Sequence, residues 1–218
     1  MSFCNFVEKI IMKEISLALR TYIEKEIIPR YDKFDAGHRR DHVLVVIEQS
    51  LNLAQYYDVD VNMVYAIAAY HDTGLIAGRE QHHIVSGEIV HNDGWLREWF
   101  DAKQIEIIIE AVVDHRASNS QEPRSIYGKI VAEADRIIDE ATIVRRTIQY
   151  GLAHYPEYDK EMHYVRFVEH MKEKYAEGGY LKLWIPQSPN AERLHEFQQK
   201  IKEPGMLRAL FDEMWVQL

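Results

Sequence analysis

Residues 61–75 read VNMVYAIAAYHDTGL, an apolar run that ends on two titratable side chains. Four residues recur at the spacing of one face of an α-helix, namely Val64, Ile67, Ala68 and His71. The pattern therefore predicts that His71 points toward the core. Asp72 lies about 100° further around the helix, at the edge of that face. An imidazole and a carboxylate together offer one nitrogen and one oxygen ligand to a divalent metal ion.

The same pair has a purely structural interpretation, in which His71 is a hydrogen-bonded core residue beside a helix-terminal aspartate. The helix macrodipole argues against this structural interpretation, because a negative charge near a helix C-terminus is unfavourable unless a cation offsets it. A metal ion would supply that cation. Gly74 follows the pair, and we expect it to end the helix in a left-handed conformation.

A second helix is predicted from GHRRDHVLVVIEQSLNLA, residues 37–54. Its apolar face is formed by His42, Val43, Val46, Ile47, Leu53 and Ala54. His42 is thus directed inward, and a metal ligand and a buried structural histidine are equally compatible with the spacing. His38 lies four residues earlier and shares that face if the helix begins early; otherwise it is a loop or capping residue.

Two acidic residues lie within the apolar helical segment SIYGKIVAEADRIIDEATIV, residues 125–144. Asp135 has Val131 at i−4 and Ile138 at i+3, and Glu133 has a similar apolar frame. A lone buried carboxylate is costly, so whichever residue points inward needs a partner. Periodicity does not distinguish the two.

Helical periodicity dominates the chain, which predicts an all-α fold. The predicted helices cover residues 3–28, 40–57, 61–73, 82–97, 103–117, 125–151, 157–177, 191–203 and 205–216. Pro29 is expected to end the first helix. Residues 177–190 form the clearest loop, in which YLKLW (180–184) could be a short strand. We expect one domain over residues 1–218, with a core at about 30–150 and a helical extension over 151–218.

Composition restricts the function classes. The net charge is −9, from 26 Lys plus Arg and 35 Asp plus Glu, which argues against general nucleic-acid binding. Cys4 is the single cysteine, so an internal disulfide and a thiolate-rich zinc site are excluded, and a reducing cytoplasm is expected. No apolar run is long enough to predict a membrane span, and residues 1–15 lack a signal-peptide pattern.

Taken in order, the candidate ligands resemble a known signature. His42, His71-Asp72 and Asp135 are similar to the H…HD…D pattern of the HD-domain metal-dependent phosphohydrolase superfamily. The local contexts HRRDHVLVV, AAYHDTGL and AEADRI also resemble the family's ligand segments. The last of these selects Asp135 over Glu133.

The resemblance implies that an all-α fold brings His42, His71, Asp72 and Asp135 to one divalent metal ion. Its identity among Mn, Mg, Fe, Co, Ni and Zn is open. Asp72 would also orient the attacking water, which makes it the candidate catalytic residue.

Additional histidines suggest contacts to phosphate or to a second metal ion. HHIVSGEIV, residues 82–90, resembles a further family segment through His83, and VVDHRAS, residues 112–118, does so through His115. The paired histidines of dinuclear members and a lysine after HDTG are lacking, which favours one metal ion. The substrate-binding candidates are His38, His83, His115, Arg116 and Arg39, with Arg116 the first choice.

The resemblance implies hydrolysis of a small phosphate ester, and a nucleotide is the expected substrate. One alternative is a di-iron HD-type oxygenase, which would need His83 and His115 as ligands. Another is a non-catalytic helical domain that binds a metal ion or ligand. The amphipathic helices near the two termini would permit a homodimer, and no membrane partner is expected.

Overall fold

The computed structural model describes residues 15–35, 37–118 and 121–218. Within these ranges the regular elements are all helices, and no strand occurs, which confirms the all-α prediction. The short strand expected at 180–184 is wrong. Instead, the amides of Tyr180 and Leu181 donate to the carbonyls of Glu173 and Lys174 at the end of a helix. No described helix has both the length and the apolar character needed to cross a membrane.

The α-helices of the described residues are α1 (Leu17–Tyr22), α2 (Arg40–Ala54), α3 (Val61–Tyr70), α4 (His82–Asn92), α5 (Ala102–Asp114), α6 (Ile126–Asp135), α7 (Glu140–His154), α8 (Lys160–Lys174), α9 (Asn190–Lys202) and α10 (Pro204–Gln217). A π-helical turn (Ile23–Ile27) and 3₁₀ helices (Ile28–Lys33, Thr73–Ala77, Gly94–Glu98) complete the elements.

The chain divides into two compact units, Met1–Asp135 and Arg136–Leu218. We call these unit 1 and unit 2. The division falls before the boundary near residue 150 at which the sequence analysis began the C-terminal extension, and the single domain over 1–218 stays a prediction. Every candidate site residue belongs to unit 1.

The core of unit 1 is built around α3. Asp60 caps the start of this helix, because its side chain accepts a hydrogen bond from the Asn62 amide. The helix packs against α2, α5 and α6, and the stretch from Ala66 to Tyr70 is fully buried. His71 at its end is also fully buried, so the inward direction predicted for it is confirmed.

The chain turns tightly at Gly74, although not in the left-handed conformation expected there. Positive φ angles occur, among the described residues, only at Gly78 and Gly178. Gly74 instead lies in the 3₁₀ helix Thr73–Ala77, where an added Cβ would be 2.0 Å from the carbonyl oxygen of His82. The need for glycine is therefore steric, because the start of α4 packs directly on this turn.

The first predicted helix, 3–28, differs from the observed one. Its residues 3–14 lie outside the described part of the chain, and Ile23 begins a π-helical turn. Pro29 does not end the helical path. It occupies the first turn of the 3₁₀ helix Ile28–Lys33, where its missing N–H is tolerated.

The predicted helix 125–151 is two helices. α6 ends at Asp135, and α7 begins at Glu140 after Asp139 caps it by accepting a hydrogen bond from the Thr142 amide at 2.8 Å. Residues 136–139 carry no glycine or proline, and Ile137-Ile138 continue the apolar pattern, so periodicity alone did not reveal the break. In unit 2, α7 and α10 pack on α8, with Phe167 and Phe211 buried at 5.3 Å between ring centroids.

Candidate metal centre

Four side chains from α2, α6 and the turn after α3 meet in unit 1. Asp72 Oδ2 lies 3.3 Å from Nε2 of His71 and 3.7 Å from Nε2 of His42. Asp135 Oδ1 lies 3.2 Å from the same nitrogen of His42 and 3.8 Å from that of His71. The structure thus brings together the four ligands that the sequence analysis proposed. Glu133 is also buried.

A second group of potential ligands shares Asp72. Its other oxygen, Oδ1, lies 3.4 Å from Nε2 of His82 and 3.4 Å from Nε2 of His115. The two histidine nitrogens are 3.2 Å apart. Asp72, His82 and His115 could therefore hold a metal ion, as could His42, His71 and Asp72. The two oxygens of one carboxylate face two sets of imidazoles.

Backbone carbonyls orient three of the imidazoles. Nδ1 of His71 donates to the Ala68 carbonyl at 2.7 Å, and Nδ1 of His115 donates to the Val112 carbonyl at 2.5 Å. Nδ1 of His82 donates in the same way to Arg79, at 2.8 Å. A carbonyl only accepts, so Nδ1 of each ring carries a proton and Nε2 is the atom that faces the cluster. This arrangement is typical of metal-binding histidines.

The first group also contains buried nitrogens without a hydrogen bond. Both ring nitrogens of His42 and Nε2 of His71 lack a well-aligned partner among the described residues. Buried polar atoms are normally paired, and each exception calls for a physical cause. A divalent cation fits this donor set, because it would pair the Nε2 atoms of His42 and His71 and neutralise the two carboxylates.

Charge coupling shifts the pKa values within the cluster. Burial lowers the pKa of His71, but the charges of Asp72 and Asp135 outweigh it and raise the pKa to about 9. Burial raises the pKa of the Asp72 carboxyl, whereas His71 and His115 bring it well below its ordinary value. A cation that binds at neutral pH must therefore displace a proton from His71, so metal binding releases a proton.

Tyr31 supports the backbone at the end of α3. Its side chain is fully buried, and its hydroxyl donates to the Ala69 carbonyl at 2.9 Å while accepting from the Asp72 amide at 3.2 Å. The ring lies 6.2 Å from that of His71, centroid to centroid. Tyr31 was not a candidate in the sequence analysis, and its charged sequence neighbours Arg30 and Asp32 gave no sign that its side chain is buried.

The candidate substrate-binding residues occupy different positions. His38 lies edge-on to His42 at 5.7 Å between ring centroids. His115 belongs to the second ligand group. Burial and the Arg116 charge lower the pKa of His83 to about 4, so its neutral ring accepts a hydrogen bond from Arg116 at 3.5 Å. Arg39 is exposed just before α2, and its backbone carbonyl accepts a hydrogen bond from the His42 amide at 2.9 Å.

His82 is the potential ligand that the sequence analysis missed. The family-like spacing to Gly87 selected its neighbour His83 instead. His82 lies four residues before Ser86 and eight before Val90, and both of these are fully buried. The buried face of α4 was hard to recognise in the sequence because it includes the polar residue Ser86. The Ser86 hydroxyl is paired in the structure, since it accepts a hydrogen bond from the Gly74 amide at 2.8 Å.

Comparison with known proteins adds one finding. A family model described as HD domain matches residues 39–138, a range that includes all six side chains of the two ligand groups. The searches of curated proteins and of solved structures gave no match.

Proposed function

Residues 39–138 of this chain belong to the HD-domain superfamily, whose members are typically metal-dependent hydrolases, and on that basis we propose that the protein is a metal-dependent phosphohydrolase. The proposed substrate is a small phosphate ester, in particular a nucleotide. A cytoplasmic location is part of the proposal, because the composition offers neither disulfides nor a membrane span.

One observation carries the proposal: the two oxygens of Asp72 face two separate groups of imidazoles. His42, His71, Asp72 and Asp135 would hold one divalent ion, and Asp72, His82 and His115 a second. Metal ions bound there would polarise a phosphoryl oxygen and lower the pKa of a coordinated water molecule. This differs from the single ion favoured in the sequence analysis, where contact of His115 with a second ion was the less favoured of two roles.

The residues of the chain have separate tasks in this proposal. Asp72 accepts a hydrogen bond from the attacking water and orients it toward phosphorus. The carbonyl contacts of His71, His82 and His115 hold these rings in position, so little reorganisation is needed during the reaction. Arg116 lies beside His83, and its guanidinium would bind a non-bridging phosphate oxygen.

The second ligand group also favours a different candidate, a di-iron HD-type oxygenase. That alternative was expected to need His83 and His115 as ligands; His115 belongs to the second group, and His82 occupies the place expected for His83. The two candidates differ in their need for oxygen. A phosphohydrolase releases phosphate without oxygen, whereas an oxygenase consumes oxygen and stays inactive without it.

The test is phosphate release under anaerobic conditions from nucleoside mono-, di- and triphosphates, with protein loaded with Mn, Fe, Co or Mg. Asp72→Asn is expected to lower kcat/KM by about 100-fold or more and to lower the metal content per chain, because the amide removes the negative charge and replaces one of the two oxygens by a nitrogen that cannot coordinate a cation. Asp41→Asn is the matched control, since Asp41 is an exposed carboxylate in the first turn of α2.

Hydrolysis retained by Asp72→Asn would refute the mechanism. Activity that appears only with oxygen, at two irons per chain, would establish the oxygenase instead. Failure to take up any of the metals would favour a non-catalytic binding domain.

A further inference from the structure

An open cavity of about 270 Å³ lies in unit 1 beside the metal centre. Two segments line it: residues 33–35, which lead toward α2, and residues 75–79, which follow directly after the His71-Asp72 pair. The lining residues are Lys33, Phe34, Asp35, Leu75, Ile76 and Arg79. Its volume is near the lower end for small-ligand sites.

The net charge of the cavity lining is positive, whereas that of the whole chain is negative. Lys33 and Arg79 contribute two cations, and the Lys33 ammonium makes no ion pair with a described residue. Asp35 is the one acidic lining residue, and it already accepts hydrogen bonds from the Gly37 amide at 2.8 Å and from His38 Nδ1 at 2.9 Å. The cavity therefore offers a net positive site, although the chain carries −9.

His38 connects the cavity with the metal centre. Its Nε2 lies 3.3 Å from the Arg79 guanidinium, and its ring lies edge-on to His42 at 5.7 Å between centroids. One imidazole thus separates the cationic cavity from the ligands of the first metal group. The cationic cavity is therefore connected to the candidate ligands through a single side chain.

We propose that this cavity binds a second anionic group of the substrate, a carboxylate or a further phosphate, through Lys33 and Arg79. The apolar surfaces of Phe34, Leu75 and Ile76 accommodate the short organic segment between the two anionic groups. This inference rests on the proposed phosphohydrolase function and narrows its substrate class to small phosphate esters with two anionic ends.

The test compares three ligands that cannot be hydrolysed: propylphosphonate, 3-phosphonopropionate and propane-1,3-diphosphonate. Their affinities for Mn-loaded protein are measured by isothermal titration calorimetry. A second anionic group is expected to strengthen binding by about tenfold, which equals about 1.4 kcal/mol. Comparing the last two ligands distinguishes a carboxylate site from a phosphate site.

Substitution of the two cationic lining residues tests whether the second anionic group binds in the cavity. Lys33→Gln/Arg79→Gln is expected to bind all three ligands with similar affinity. Lys33→Gln alone leaves the Arg79–His38 contact in place. In this variant the affinity ratio of the ligands with two anionic groups to propylphosphonate is expected to fall by about threefold. Lys25→Gln/Lys103→Gln is the matched control, because it removes the same charge from exposed positions outside the cavity.

Each remaining outcome contradicts a specific statement. Equal affinities for all three ligands in the wild-type protein would overturn the proposed subsite. So would a preference that persists in Lys33→Gln/Arg79→Gln, since the second anion would then bind elsewhere. If none of the phosphonates binds the Mn-loaded wild-type protein, the phosphohydrolase proposal itself fails, and the subsite falls with it.

Discussion

At the scale of single residues, the buried hydroxyl of Tyr31 supports the backbone that carries the candidate ligand Asp72. Its hydrogen bonds to the Ala69 carbonyl and the Asp72 amide join the last turn of α3 to the residue that both ligand groups share. Carbonyl groups at a helix end have no partner within the helix, so the contact also satisfies a backbone group that would otherwise be unpaired. The direction of the Asp72 carboxylate thus depends on this contact.

We predict that Tyr31→Phe lowers the metal affinity of the protein by about tenfold, a typical effect of losing an outer contact of a metal site. The free energy of unfolding should fall by about 1–3 kcal/mol, because two buried backbone groups lose their partner. Competition with a chelator measures the affinity, and the Co(II) absorption spectrum reports the ligand geometry. Tyr56→Phe, at an exposed tyrosine of unit 1, should change neither quantity.

A purely structural role for Tyr31 would give a different result. The unfolding free energy would fall, while the metal affinity and the Co(II) spectrum stayed those of the wild type.

At the scale of elements, the contact between the turn Thr73–Ala77 and the start of α4 determines whether the second ligand group forms. Gly74 approaches this helix so closely that an added Cβ would be 2.0 Å from the His82 carbonyl oxygen and 2.5 Å from the Ser86 amide nitrogen. His82 is the first residue of α4. A displacement of this helix therefore moves His82 away from Asp72.

We predict that Gly74→Ala destabilises the protein by about 1–3 kcal/mol through overpacking. The metal content should fall from about two ions per chain to about one, since His42, His71 and Asp135 do not belong to α4. Urea unfolding and elemental analysis measure the two effects. Gly94→Ala is the control, because nothing lies within 4 Å of a Cβ added there.

Retention of the full metal content by Gly74→Ala would show that α4 tolerates the displacement. A loss of the entire metal content would show that the two groups bind their ions only together.

At the scale of the whole molecule, the candidate ligands are confined to unit 1, whereas unit 2 consists of α7 to α10 with its own buried aromatic cluster. A ligand that binds the folded state stabilises it by about 2.7 kcal/mol at a concentration of 100 times its dissociation constant. That stabilisation acts on the part of the chain whose unfolding destroys the site.

We therefore predict that metal loading slows amide hydrogen exchange in α2, α3 and α6 by about 100-fold and leaves α8 and α10 nearly unchanged. Exchange followed by mass spectrometry, with chelated and metal-loaded protein, measures the difference. Equal slowing in α8 and α10 would mean that the chain unfolds as one cooperative unit, in agreement with the single domain expected from the sequence.

The sequence by itself determined the helical class and the first ligand group. Amphipathic periodicity directs His42 and His71 to a buried face, since a helix repeats every 3.6 residues whatever surrounds it. For Asp135, periodicity left Glu133 as an equal choice, and only the resemblance to a family pattern separated them. Local patterns also predicted most helices, although not the break at residues 136–139, where the apolar repeat continues.

Only the tertiary structure decided which histidine completes the second group and how the helices meet. His82 and His83 are neighbours in the sequence, and their directions depend on how α4 sits on the turn at Gly74, which is a packing contact between two elements. The support from Tyr31 and the cavity beside His38 likewise join segments that are distant in the chain. Such contacts depend on the three-dimensional path of the backbone, which no local pattern of residues encodes.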